Sequence, residues 1–335
     1  MPLAYLVRRL AMAIPTLFGV AIVDFVLLRV VPGNPIAMMI PPGASAADIA
    51  RLRAFYGLDQ PIPVQFWRWL EALLHGNLGV SIDLRRGVLG LVMSRLPATL
   101  ELALLAMVLA VALGIALGVG AIYWQGRWPE AVVDGIAGLG MAIPDFLWGL
   151  LLVLLLGVLL PILPISGRID PMLSTHFVTP FYLAESLVRG EFSLVGSLLA
   201  HMALPAVALA LPLTAVIARI LKSALVEAMS QDYILMARVK GLGRARIIWT
   251  EAFRNALVPT VTLSGVQFTF LVGGTVLIER IFSYPGIGNM AIDAVIGRDL
   301  PLIQGVVMTF AVLFILINLL IDMTYVLLNP RVRHG

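Results

Sequence analysis

Six apolar runs alternate with polar stretches along the chain, at about 10–28, 100–124, 132–160, 203–224, 258–278 and 302–328. Each lies near the ~20 residues that a helix needs to cross a hydrocarbon core of about 30 Å. Backbone amides inside a bilayer have no water to bond, so runs of this length predict helices. The pattern therefore predicts an all-α polytopic membrane protein with six transmembrane helices. The third run contains Pro144 and Gly149, which predict a kinked or broken span. The first run follows Arg8 and Arg9 and outlasts the apolar core of a secretory signal. The one Ala-Ser-Ala-like cleavage site, at Ala44 to Ala46, lies well beyond it, so this run reads as a retained anchor.

These runs divide the chain into 1–31, an N-terminal tail and first helix; 32–98, an extracytoplasmic insert; 99–328, a five-helix core with a cytoplasmic loop at about 225–257; and a tail, 329–335. Within the insert, residues 63–74 predict an amphipathic helix with Phe66, Leu70, Leu73 and Leu74 near one face. It is either a cap on the membrane surface or a docking surface for a partner; the stretch 163–201 carries the same two readings.

Composition agrees. Of 335 residues, 60% are hydrophobic and 13% charged, about half the ~25% charged share of soluble domains. The absence of cysteine excludes disulfides and Cys-based metal or redox centres. The net charge of +4 rests on arginines scattered beside the apolar runs, which fits membrane flanks and not a nucleic-acid face. Arg8, Arg9, Arg331, Arg333 and a basic loop holding Arg219, Lys222, Arg238, Lys240, Arg244, Arg246 and Arg254 place both termini and that loop in the cytoplasm.

That loop carries the most readable mechanics. Residues 230–240 predict a helix, Gly241-Leu242-Gly243 a turn, and Arg244 to about Ala256 a second basic helix leading to Pro259. Two helices hinged by glycine and continuous with flanking spans can transmit force from a soluble partner, with Leu242 and positive charge exposed; the alternative is an interfacial hairpin held by lipid headgroups. The chain's lysines are Lys222 and Lys240, neither preceded by glycine, so the chain has no P-loop and cannot itself hydrolyse ATP.

Polar groups inside the spans mark a possible path, since a mid-bilayer carboxylate costs roughly 2.5–3.5 kcal/mol on insertion scales. Asp145 follows Pro144 and either faces a translocation cavity or caps the half-helix after the break. Gln267 and Ser264 in the fifth run are further path candidates, whereas Asp24, Glu101 and Asp322 read as structural. The four histidines are dispersed and intramembrane-protease motifs are absent, so neither a catalytic nor a metal site is expected. An ion-coupled secondary transporter also uses a broken helix with a carboxylate, but offers no reason for the hinged basic loop.

The segment Asp232-Tyr-Ile-Leu-Met-Ala-Arg-Val-Lys-Gly-Leu242, followed by Phe253-Arg-Asn-Ala-Leu-Val-Pro259, resembles the ATPase-coupling loop of ABC-class peptide-importer permeases. Glu279-Arg-Ile-Phe-Ser-Tyr-Pro-Gly-Ile-Gly288 and Arg298-Asp-Leu-Pro-Leu-Ile-Gln-Gly305 resemble the family's signature between its last two spans. Pro32-Gly-Asn-Pro35, Gly57-Leu-Asp-Gln-Pro61, Gly76-Asn-Leu-Gly-Val-Ser81, Leu96-Pro-Ala-Thr-Leu-Glu-Leu102, Leu163-Pro-Ile-Ser-Gly-Arg168 and Asn329-Pro-Arg-Val-Arg-His334 extend the match over nearly the whole chain. The set is most similar to the first of the two permeases of a dipeptide importer. The sequence departs from the family at Asn34 and Asn77, where aspartate is usual, at Val239, where alanine is usual, and at Leu235, Met236 and Ala237, which stand where the general motif begins Glu-Ala-Ala.

The resemblance implies a permease half for dipeptides or short peptides, or in related systems nickel or glutathione. It implies ATPase coupling through Ala237, Arg238, Lys240, Gly241, Leu242 and Gly243; the path past Pro144, Asp145, Ser264 and Gln267 rests on the polar groups within the spans. An extracytoplasmic gate or partner contact would involve Glu279, Phe282, Pro285, Gly286 and Gly288. The implied partners are a second homologous permease, one or two ATPase subunits carrying ATP and magnesium, an extracytoplasmic substrate-binding protein, peptide and membrane lipid, without nucleic acid; no cofactor is bound by this chain.

Overall fold

The computed structural model describes residues 3–30, 45, 47 and 59–328. Most of the predicted insert before residue 59, including Asn34, and the tail 329–335 lie outside the described residues.

Among the described residues the chain is helical: α1 (Leu3–Val30), α2 (Ile62–Leu74), α3 (Val88–Tyr123), α4 (Trp128–Ala142), α5 (Asp145–Leu152), α6 (Tyr182–Arg189), α7 (Phe192–Met229), α8 (Asp232–Val239), α9 (Arg244–Ile281), α10 (Ile287–Ile296) and α11 (Leu300–Leu328). Four of these helices, α3, α7, α9 and α11, are long and apolar enough to cross a membrane. A fifth is a broken span, α4 followed by Asp145–Leu159, which is α5 with its π-helical continuation Val153–Leu159; its halves are 102° apart. The break falls at the proline: Ile143 is extended (φ −98°, ψ 122°) as the residue before a proline prefers, and α5 starts at Asp145. The expected first span is α1, whose apolar stretch Ala11–Leu27 covers about 25 Å at 1.5 Å per residue.

The chain divides into two compact units. The first comprises Leu96–Asn289 and Leu316–Gly335 and is organised around α7. Leu204, Pro205, Ala206, Ala208, Leu209 and Ala210 are all buried, so the middle of α7 is covered on every side and α7 is the core helix of the unit. Its neighbours approach through glycine. A Cβ on Gly114 would stand 2.6 Å from Ile217 Cγ2, one on Gly118 3.1 Å from the Ala218 carbonyl oxygen, and one on Gly140 3.1 Å from that of Leu211. At those distances α3 and α4 lie against the α7 backbone, where a larger residue overpacks the interface.

The segment after α5 is pinned by a buried ion pair. Arg168 Nη2 donates to Glu101 Oε2 at 2.7 Å and to the Pro180 carbonyl at 3.0 Å, while Glu101 Oε1 accepts from the amides of Leu183 (3.0 Å) and Ala184 (3.3 Å) at the start of α6. The Tyr182 ring lies 3.9 Å from the Arg168 guanidinium and stacks on Phe177. Glu101 thus has the structural role expected of it.

The second unit comprises Pro2–Arg95 and Met290–Ile315. Here α2 lies along α1, with Phe66 between Phe18 (5.9 Å) and Phe25 (5.3 Å) and Trp69 against Phe25 (5.6 Å). Phe66, Leu70 and Leu73 are partly buried as the amphipathic pattern predicts. Leu74, expected with them, is 78% exposed, because the helix ends there and the chain turns away at His75. Asp299 ties this unit together. Its carboxylate accepts from the Ser81 hydroxyl (2.5 Å) and the Asp83 amide (3.2 Å), and caps α11 through the Leu302 amide (3.2 Å). Val88 packs against Gly305 where a Cβ would sit.

Removing one partner of a buried ion pair leaves the other charge uncompensated, a loss of about 3–5 kcal/mol. Glu101→Gln is therefore expected to lower the thermal midpoint of the solubilised protein and to open the segment around Pro180 to protease. An unchanged midpoint and cleavage pattern would show that the pair contributes nothing net.

Candidate functional site

Three places bring the predicted residues together. The first is the hairpin of α8 and the start of α9. Helix α8 ends in a motif that the sequence dictates: Gly241 adopts φ +77°, its amide donates to the Arg238 carbonyl (2.9 Å), and the Leu242 amide donates to the Ala237 carbonyl (3.2 Å). This is a Schellman stop, which favours glycine at the left-handed position and an apolar residue after it. Leu242, expected to be exposed, instead folds back onto a core made by Ile234 and Ala237 of α8, Val119 and Ile122 of α3, Leu221, Leu225 and Ala228 of α7, and Ile247, Ile248 and Ala252 of α9. Burying that side chain is what the stop motif favours.

Polar bonds add to this weld. Arg244 Nη2 donates to the Ile122 carbonyl (2.8 Å), and Asn255 Nδ2 to the Tyr233 hydroxyl (2.8 Å). Beyond Gly243 no separate helix forms: Arg244–Ile281 is one 38-residue helix containing a π-turn over Ile247–Ala252. Arg238 and Lys240 point outward, as predicted, and Arg238, Leu242, Arg244 and Gln125 line a cavity of about 540 Å³. The sequence reading missed the hairpin's exposed apolar face: Leu235 (61%), Met236 (57%), Val239 (77%) and Tyr233 (38%). Their i, i+1, i+4 spacing was the available signal.

The second place is a cavity of about 200 Å³ lined by Asp145, by Leu209, Pro212, Leu213 and Val216 of α7, and by Gln267, Phe270, Leu271 and Gly274 of α9. Asp145 and Gln267 therefore meet at one cavity. Pro144 precedes it as the N-cap of α5, and Ser264, buried one turn before Gln267, lies outside the lining. Asp145 is the first residue of α5, and its Oδ1 accepts at 2.7 Å from the Phe146 amide, one of the free amides of the helix start, so it stands both at the helix end and at the cavity.

The third place is the end of α9. Glu279 is fully buried; Oε1 accepts from the Thr99 hydroxyl (2.6 Å) and Oε2 from the Asn289 amide (3.0 Å), while Thr99 Oγ1 accepts from the Ile287 amide (2.9 Å). Gly286 and Gly288 are the residues whose missing side chains leave room for this carboxylate. Phe282 and Tyr284 are buried beside it and Pro285 is partly exposed. The signature thus reads as a loop wrapped around one glutamate. Thr99 was not singled out from sequence, because the pairing joins residues 180 positions apart.

A multi-pass helical bundle with a broken span, a cavity beside the break and a rigid hairpin joining two spans defines a membrane transport subunit. Residues 91–334 match the family model for the binding-protein-dependent transport system inner membrane component, and residues 2–103 match its N-terminal counterpart. The chain belongs to this family and is the permease subunit of an ABC importer, a transport component and not an enzyme, which works with ATPase and binding-protein partners. It is 40% identical to the di/tripeptide transport system permease protein DppB of Pseudomonas aeruginosa and 39% identical to the dipeptide transport system permease protein DppB of Escherichia coli K12, each over 99% of both chains. Among solved structures it is similar in fold to the MetNI methionine ABC transporter in inward-facing conformations, with a TM-score of 0.54 at 16% identity, covering 71% of this chain and 96% of that one.

Thr99→Val removes a donor from Glu279 and an acceptor from Ile287, each buried group left unpaired costing about 1–3 kcal/mol. The variant is expected to melt earlier than wild type while Thr99→Ser restores most of the difference; equal melting of all three would separate Thr99 from the loop's stability.

Proposed function

We propose that this chain is one of two homologous permeases forming the path of an importer for dipeptides or short peptides. The hairpin 232–243 and both termini face the cytoplasm, and a pair of ATPase subunits, binding ATP and magnesium, grips the hairpin. The observation that carries this reading is the hairpin itself. It leaves Tyr233, Leu235, Met236 and Val239 exposed while its other face is built into the core shared by α3, α7 and α9. A contiguous exposed apolar face on a rigid, basic-flanked element suits a protein partner, and any displacement of it must pass into the spans. The peptide cargo is supported by the relatives' names and by a small cavity with one carboxylate, suited to an amine.

On this reading the binding protein delivers peptide at the opposite end, near the loop gathered around Glu279 that includes Phe282, Pro285, Gly286 and Gly288. Peptide then passes Pro144 and Asp145, and Gln267 with Ser264 behind it, on its way inward.

A β-branched residue at Gly241 has open space for its Cβ, so its effect is confined to the left-handed backbone, about 1–2 kcal/mol. Gly241→Ile is expected to insert and assemble normally but to hydrolyse ATP without proportionate peptide uptake in proteoliposomes carrying the complete importer. Wild-type coupling in that variant would remove the hairpin from the drive train. In the same assay Asp145→Asn is expected to assemble normally with uptake clearly reduced; unchanged uptake kinetics would return Asp145 to a structural role at the start of α5.

A further inference from the structure

The cavity-lining positions of α7 are Leu209, Pro212, Leu213 and Val216. Seven residues beyond Pro212, on the same flank of the helix, stands Arg219, about 10 Å further toward the hairpin at 1.5 Å per residue. Arg219 lines a second cavity, of about 370 Å³, with Asp134, Lys222 and apolar residues of α3 and α4.

The charges there are not equivalent. Lys222 Nζ is held by Glu130 (2.7 Å) and by both oxygens of Asp134 (2.7 and 2.9 Å), so that ammonium and the Asp134 carboxylate satisfy each other. Arg219 is exposed and forms no ion pair or hydrogen bond with any described residue. A helix face buried with apolar side chains for most of its length therefore presents, at the second cavity, a guanidinium with all of its donors available.

We propose that Arg219 receives the carboxylate of the cargo, so that the path offers a carboxylate, Asp145, and then a guanidinium, Arg219, to opposite ends of a zwitterion. Guanidinium is the side chain suited to this task because its planar fork binds a carboxylate through two parallel bonds, which a lysine does not. Pro212, which lines the first cavity with Asp145, and Arg219 are about 10 Å apart along α7, the length of an extended chain of three residues at about 3.3–3.6 Å each. This assignment rests on the reading that the Asp145 cavity lies on the path.

The two claims separate in one experiment. The complete membrane complex, with its second permease and ATPase subunits but without the binding protein that selects cargo upstream, is solubilised, and binding of radiolabelled alanyl-alanine is measured by equilibrium dialysis. Unlabelled alanyl-alanine, its C-terminal amide and its N-acetyl form serve as competitors. Loss of a charge-assisted bond corresponds to about tenfold weaker binding or more, so wild type is expected to discriminate against both blocked forms by about that factor. Arg219→Gln is expected to bind the free acid and the amide alike while still rejecting the acetylated form, and Asp145→Asn to show the reverse. Arg219→Gln that still rejects the amide overturns the assignment of Arg219 and leaves the path intact. Asp145→Asn that still rejects the acetylated form overturns the path reading, and the assignment with it. Absence of saturable binding at millimolar peptide overturns both.

Discussion

The close approach of α3 and α4 to α7 is the constraint on which the rest depends. Gly114, Gly118 and Gly140 let two neighbouring backbones lie against α7, and interiors packed at that density transmit displacement instead of absorbing it. Because α7 runs unbroken from Phe192 to Met229, the residues that line the cavity and those that receive the hairpin belong to one rod. Pro205 and Pro212 each remove a backbone bond from that rod, yet it stays helical because packed neighbours surround it, the condition under which membrane helices tolerate proline.

The hairpin extends that rod around a corner without adding a joint. Its turn is stopped by Gly241 and closed by Leu242, which packs, half-buried, against the core shared by α3, α7, α8 and α9. A looser link, with Leu242 in solvent, would let a partner move α8 without moving the spans. The departure from the family pattern at Leu235, Met236 and Val239 gains a physical meaning here. These are outward residues of α8, so the departures there change the hairpin's exposed face and leave Ile234, on the core side, as it was.

Periodicity and punctuation made much of this legible in the sequence. The apolar runs became long helices, Pro144 broke the third of them, Gly241 stopped α8, and Asp145 came to line a cavity. The features that sequence did not disclose depend on distant partners. The glycine stop is the local signal that turns Leu242 inward, but the surface that receives it is assembled from α3, α7, α8 and α9. Nothing in Glu279 names Thr99 as its donor, and nothing local shows that Gly286 and Gly288 leave room for the buried carboxylate beside them. The junction at Ile247–Ala252 carries no breaker, so the helix absorbs its irregularity as a π-turn and runs from the loop into the span without a gap, the continuity that the sequence predicts. Leu74 fails for the opposite reason: it has the right period but sits in the last turn, where the chain leaves the surface of α1.

The carboxylates divide by how they are satisfied, and the division points to function. Glu101, Glu279 and Asp299 each accept several bonds from amides, hydroxyls or a guanidinium, at least one of them from a segment far away in sequence, which holds loops to helix ends and meets the desolvation cost of a buried charge. Asp145 accepts one bond, from the amide of the next residue, and its remaining acceptor capacity faces a cavity with apolar walls. The helix N-terminus behind it offsets part of its charge without completing its coordination. A carboxylate kept at membrane depth in that state remains costly until something mobile and cationic, or water, completes its shell. The structural carboxylates have exchanged that capacity for fixed partners; Asp145 retains it, the property that the proposed contact with a cargo amine requires.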